Sequence, residues 1–133
     1  MLNDNTNQNC SPNDAKEKSA ARLRRVGNKN LPFEIPLLIG EKPFLIGRYD
    51  INIGRRQCDF EFEPNTVAVS RRHAAIKRIP YGFVIVDLDS RAGTFINGNR
   101  ISAGEQYQII HGDRIAFGTA GANYVFESDM SKG

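Results

Sequence analysis

From residue 31 onward, apolar residues recur at every second position in short runs, and each run is cut off by glycine, proline, asparagine or aspartate. This pattern suits strands buried on one face and leaves no stretch long enough for an amphipathic helix. Phe33, Ile35, Leu37 and Ile39 alternate with Glu34, Pro36 and Leu38. Pro36 assigns this run to a sheet edge, because proline has no N–H to give to a ladder. Phe44-Leu45-Ile46 and Ile51-Asn52-Ile53 read as strands on either side of a turn at residues 47–50. Residues 59–63 alternate strictly, with Phe60 and Phe62 inward. Residues 74–79 and 83–88 are two strands joined around Pro80-Tyr81-Gly82. Residues 94–97 and 100–101 bracket a tight turn at Gly98-Asn99. Runs at 107–110, 114–117 and 124–127 complete the series. The expectation is an all-β sandwich or barrel.

The first thirty residues differ. Residues 1–14 are rich in asparagine and have almost nothing to bury, so disorder is expected. Residues 15–26 favour helix by propensity but are too few to hold one alone in water. They read as a solvated linker, with a basic helix docking on an acidic partner as the alternative. The division is then a flexible basic tail over 1–30, a β-sandwich over 31–128 and a short C-terminal tail over 129–133. On this division the tail holds six basic and three acidic residues, and the remainder twelve of each. A neutral body argues against a broad nucleic-acid face, which needs a basic stripe. No apolar run is long enough to span a bilayer, and the N-terminus lacks the pattern of a secretory signal. Two cysteines (Cys10 and Cys58) and two histidines (His73 and His111) make neither a disulfide framework nor a metal site. A cytoplasmic protein without metal or cofactor is expected.

The chemistry lies in the loops. Arg55, Arg56, Arg71, Arg72 and Arg91 accompany the hydroxyls of Ser70, Ser90 and Thr94. Guanidinium forks and hydroxyl donors are what a compact phosphate dianion needs. A hydrolase built on Ser70, His73 and Asp87 fails on context, since no nucleophile elbow surrounds the serine. Gly118-Thr119-Ala120-Gly121 lacks the Gly-Lys-Ser/Thr of a phosphate-binding P-loop. No enzyme is expected.

Four ordered motifs follow one another: Gly54-Arg55, Ser70-Arg71-Arg72-His73, Ser90-Arg91-Ala92-Gly93-Thr94 and Asn97-Gly98. A fifth, Gly112-Asp113-Arg114-Ile115, runs on to Phe117-Gly118. Together they resemble the forkhead-associated (FHA) domain family over residues 33–127, and the Ser-Arg-Arg-His loop has a bacterial style. The other Gly-Arg pair, Gly47-Arg48, lies 22 residues before Ser70 against 15 for Arg55, so Arg55 is assigned to the motif and Arg48 to a turn. The resemblance implies an eleven-stranded sandwich that binds phosphothreonine peptides at its loop tips, as an adaptor in Ser/Thr kinase signalling. It implies Arg55 and Ser70 as phosphate contacts, joined by Arg71 and Arg91. Ala92 stands where the family commonly has an asparagine that holds the peptide backbone. Asn97 orders the loops or touches the peptide. Gly54, His73, Gly93 and Thr94 shape the loops. A phosphate-independent scaffold is the alternative function. The partners implied are a phosphothreonine protein, its upstream kinase and, through self-binding, the chain's own tail at Thr6.

Overall fold

The computed structural model describes residues 20–129. Tail residues 1–19, with Thr6 and Cys10, and residues 130–133 lie outside them. Among the described residues, eleven strands form two sheets. They are β1 (Ala21–Arg25), β2 (Glu34–Pro36), β3 (Phe44–Arg48), β4 (Phe60–Phe62), β5 (Ala74–Ile79) and β6 (Gly82–Asp87), followed by β7 (Thr94–Ile96), β8 (Asn99–Arg100), β9 (Tyr107–Ile109), β10 (Arg114–Phe117) and β11 (Asn123–Ser128). One sheet has the order β9-β6-β5-β3-β4, and the other β2-β1-β11-β10-β7-β8. The strand carrying Pro36 is indeed an edge. All neighbours are antiparallel except β3 and β4, which pair in parallel with Ile46 opposite Phe60. A parallel pair cannot be closed by a hairpin, so residues 49–59 must cross over.

The two sheets meet through alternate residues. Along β11, Tyr124, Phe126 and Ser128 are buried while Asn123, Val125 and Glu127 are not. Phe62 of the first sheet packs on Tyr124 and Phe117 of the second, with ring centroids 6.1 Å apart in both pairs. Phe83 meets Phe126 edge-on at 5.4 Å. Leu23, Ile35, Ile46, Ile76 and Ile85 fill the remainder of this shared core.

Three sequence expectations are corrected. Residues 21–25 form neither helix nor linker but a central strand, β1, between β2 and β11. Ala21 and Leu23 face the core, and Arg22 and Arg24 face outward onto Glu127 at 3.2 and 3.0 Å. Cross-strand pairing has overridden a helical propensity that no tertiary contact opposed in the sequence alone. The folded body therefore takes in Arg22, Arg24 and Arg25 and is more basic than the division at residue 30 suggested. Second, Gly47 and Arg48 continue β3 rather than turning, and residues 51–53 turn rather than forming a strand. Asp50 accounts for that turn: its carbonyl accepts from Ile53 and Gly54, and its carboxylate accepts from the Asn52 N–H at 2.8 Å. Third, the β7–β8 hairpin turns at Asn97-Gly98, one residue earlier than expected. Both residues have positive φ, 51° and 87°, which suits the two-residue loop.

Candidate functional site

The end of β3 is where the site begins. Gly47 is required there by close approach, since a Cβ would overlap the Arg71 carbonyl oxygen and stand 2.9 Å from the Cys58 sulfur. That contact lets the loop of residues 69–72 lie directly on β3. The Arg48 N–H donates to the carbonyls of Ser70 and Arg71 at 3.1 and 3.3 Å. The Arg48 Nε donates to the Val69 carbonyl at 2.7 Å, which fixes the half-buried guanidinium at the loop.

His73 joins this loop to the next one. Fully buried, its Nδ1 accepts the Ser70 N–H at 3.0 Å. The proton therefore sits on Nε2, 2.9 Å from the Gly93 carbonyl, to which it donates. Burial pulls the imidazole below its ordinary pKa, against the opposing pull of the Gly93 bond and Asp87. The fold thus holds neutral His73, and its contribution to stability is complete above the unfolded value of 6.5 and lost as the pH falls toward the lower folded value. We expect thermal stability to decline as the pH falls below 6.5, and His73→Gln to flatten that slope while lowering stability throughout. Thermal unfolding in half-unit pH steps tests this; equal slopes in both proteins would refute it.

The second loop is built on Asp87. Its carboxylate is buried, accepts the hydroxyls of Ser90 and Thr94 at 2.6 Å each, and accepts the Ser90 N–H at 3.1 Å. Burial pushes its pKa up, but those hydrogen bonds outweigh it and hold the carboxyl below its ordinary value. Ser90 Oγ also accepts the Gly93 N–H at 3.0 Å. The hydroxyls of Ser90 and Thr94 are therefore committed to the loop's interior. Ser70 differs: its Oγ accepts the Arg91 N–H at 3.0 Å, leaving its own proton to donate elsewhere.

Between the loops runs an open groove of about 790 Å³, whose polar lining includes Arg48, Ser70, Arg71, Arg72 and Arg91. Ala92 lines it too. Arg71 pairs with Asp50 at 3.2 Å and remains 57% exposed, which keeps it available. The Asn52 N–H, joined by the same arginine, holds the Asp50 carboxyl below its usual range against the opposing effect of burial. Among the described residues, no carboxylate bonds Arg48, Arg72 or Arg91.

The expected site residues divide accordingly. Ser70, Arg71, Arg91 and Ala92 come together in the groove. Arg55 does not: it is exposed beyond the turn at Gly54 (φ 74°) and is absent from the lining, while Arg48 occupies that place. Asn97 lies outside the groove as well. Its amide donates to Asp113 and its oxygen accepts the Arg114 N–H, at 3.0 and 2.9 Å, which ties two loops together. Spacing alone passes over Arg48, because 22 residues before Ser70 exceed one strand and one loop. The crossover of the parallel pair, β4 and the turns after it occupy that length. The signal available was the unbroken apolar run Phe44-Leu45-Ile46 leading into Gly47-Arg48.

The FHA domain family model matches residues 45–118 and so begins beside Gly47-Arg48. Nibrin of Danio rerio is 27% identical over 90 residues, 68% of this chain and 11% of nibrin. Among solved structures, Mycobacterium tuberculosis EmbR, in complex with a low-affinity phosphopeptide, superposes with a TM-score of 0.63 at 24% identity, covering 83% of this chain and 24% of that one. The MEK1 FHA domain in complex with the HOP1 pThr318 peptide gives 0.61 at 20% identity, covering 84% and 98%. The chain thus spans a small part of nibrin and EmbR. Relatives from a bacterium and a fish do not sort it into a bacterial subtype.

Proposed function

The chain belongs to the FHA-domain family, and from that premise we propose that it is a phosphothreonine-reading adaptor, acting after a Ser/Thr kinase, with Arg48 and Ser70 as its chief phosphate contacts. The observation that carries this reading is the Arg48 guanidinium. It is fixed by the Val69 carbonyl, lines an open groove and has no carboxylate bonded to it among the described residues. A phosphate set against it meets the Ser70 hydroxyl, the Arg91 side chain and the exposed Arg71. Three charge-assisted hydrogen bonds at about 1.5–3 kcal/mol each sum to roughly 4.5–9 kcal/mol, whose upper part reaches the micromolar scale. His73 and Thr94 serve by holding the loops, and Arg55 is left out of the contact set. The arrangement offers donors to an anion rather than an activated nucleophile, because both His73 nitrogens are engaged within the fold.

Ala92 lines the groove with a methyl where an amide would hold peptide backbone. We expect Ala92→Asn to raise phosphopeptide affinity by about two- to tenfold, through one neutral hydrogen bond. Calorimetric titration with a single phosphopeptide tests it, and unchanged affinity would count against the backbone role. The same methyl is the feature that favours a phosphate-independent scaffold. The deciding experiment titrates matched peptides bearing phosphothreonine, threonine, phosphoserine or phosphotyrosine, at two salt concentrations. Selective, salt-sensitive binding of phosphothreonine supports the reader. Binding insensitive to phosphatase treatment of the partner identifies the scaffold. Among the described residues, no helix is long and apolar enough to cross a membrane. A cytoplasmic location is part of this proposal.

A further inference from the structure

The outer face of the second sheet carries a depression of about 420 Å³. Across β11, β10 and β7, Asn123, Ala116 and Phe95 stand side by side in register, and Arg100 of β8 is opposite Phe95. Their chain neighbours Tyr124, Ile115 and Thr94 are buried, so this row points away from the core. Ala116 is the small side chain of the row and leaves a floor between half-buried Phe95 and Val26, with Arg114 and Thr119 also in the lining. Backbone bonds fix these walls: the Val26 N–H donates to the Asn123 carbonyl at 2.9 Å and the Phe117 N–H to the Ala122 carbonyl at 3.0 Å. Charge is divided unequally over the face. Arg22 and Arg24 are matched by Glu127 at 3.2 and 3.0 Å, and Arg22 also by Glu34 at 3.7 Å. Arg100 and Arg114 are exposed, and among the described residues no carboxylate bonds either one. Asp113, next to Arg114 in the chain, accepts instead from the Asn97 amide and the Ile110 N–H at 3.0 and 2.9 Å.

We propose that this depression is a second docking site, which takes an unphosphorylated acidic segment of a partner protein. One apolar side chain of that segment sits over Ala116, between Phe95 and Val26, and an aspartate or glutamate beside it faces Arg114. Both halves of the surface are needed to choose this occupant. The apolar walls call for an anchor, and a wholly polar segment would leave them wet. The surplus cations call for a carboxylate, and a basic segment would meet Arg100 and Arg114 as like charges. Because the walls belong to paired strands and backbone-held turns, little ordering cost opposes the contact. The proposal does not rest on the phosphothreonine reading, since it uses neither Ser70 nor any arginine of the loop groove.

Selection from a library of random unphosphorylated peptides displayed on phage tests the idea. The purified chain is expected to enrich sequences with one large apolar residue and an aspartate or glutamate at a fixed spacing. Replacing the apolar residue of the best peptide by alanine should weaken binding about 5- to 30-fold. Replacing the acid by its amide should weaken it about two- to fivefold, less at high salt. Arg114→Glu should abolish the dependence on the acid, and Ala116→Gln, which fills the floor, should remove the advantage of the apolar anchor. Thermal unfolding checks both variants; should Ala116→Gln unfold, Arg114→Glu decides alone, because its side chain is exposed. Excess phosphothreonine peptide should leave this binding unchanged. Four results overturn the proposal. One is a folded wild type that enriches no such sequence, and another is binding that keeps both dependences in the folded variants. A third is displacement by the phosphothreonine peptide, which moves the occupant to the loop groove. The fourth is a dimer in sedimentation that Arg114→Glu dissolves, which makes the face a contact between two copies of the chain.

Discussion

Arg48→Ala is expected to weaken phosphothreonine-peptide binding by roughly 10- to 150-fold, the loss of a charge-assisted contact worth about 1.5–3 kcal/mol. Arg55→Ala should leave it within about twofold. Both residues follow a glycine and both are arginine, so composition alone does not distinguish them. Their surroundings do. Arg48 ends a strand, is anchored through Nε to the Val69 carbonyl and lines the groove. Arg55 stands in solvent past a turn, where its field is screened within a Debye length of about 8 Å at physiological salt. Because the Nε bond also contributes about 1 kcal/mol to the fold, Arg48→Lys belongs beside the alanine variant. Lysine keeps the charge and loses the planar fork, so it should bind only partially. Peptide titration with thermal unfolding of each variant separates lost contact from lost fold. Binding that survives Arg48→Ala and disappears in Arg55→Ala would refute the assignment.

Gly47→Ala should lower stability by about 3 kcal/mol, the upper part of the range for overpacking a closed interior, and so lower Tm by roughly 10–20 °C. The added methyl has nowhere to go. On one side stands the Arg71 carbonyl, which is backbone and cannot rotate away, and on the other the buried Cys58 sulfur. The same carbonyl accepts from Cys58 Sγ at 3.3 Å and from the Arg48 N–H. Displacing it shifts the loop that carries Ser70, so phosphopeptide affinity should fall along with stability. Gly40→Ala is the control: no atom lies within 4 Å of its Cβ position and its φ is not positive, so Tm should barely change. Differential scanning calorimetry of the pair checks the contrast, and equal Tm values would show that the close approach at Gly47 relaxes at little cost.

Much of the architecture was legible because the core is written in alternation. Phe60 and Phe62, the run at 114–117 and the edge position of Pro36 follow from a period of two and from a missing N–H. Strand β1 was not legible, since AlaArgLeuArgArg alternates just as well as it fits a helix. Its identity comes from Glu127 and Glu34, distant in sequence. Spacing favoured Gly54-Arg55, while the groove is lined by Arg48, for a related reason. Counting back from Ser70 assumes one strand and one loop, while the parallel β3–β4 pair needs a crossover that no local signal announces. The Ser-x-x-His and Ser-x-x-Gly-Thr motifs were readable as motifs, but their internal division of labour was not. That Ser70 keeps a free proton while Ser90 and Thr94 turn inward depends on Asp87, which alternation marks only as a strand end.

Strand β1 has one more consequence. It runs antiparallel to β11 from Ala21, opposite Ser128, to Arg25, opposite Tyr124, and the Asp129 N–H donates to the Ala20 carbonyl at 2.9 Å. The first and last described residues thus lie side by side. Gly118 bonds Gly93 at the groove, and Ala116 is paired with Asn123, so Ala20 and Asp129 stand at the other end of β11 from the recognition loops. A unit with adjoining ends can be spliced into a surface turn of a host protein without prising the host open, and its recognition loops would then face away from the host.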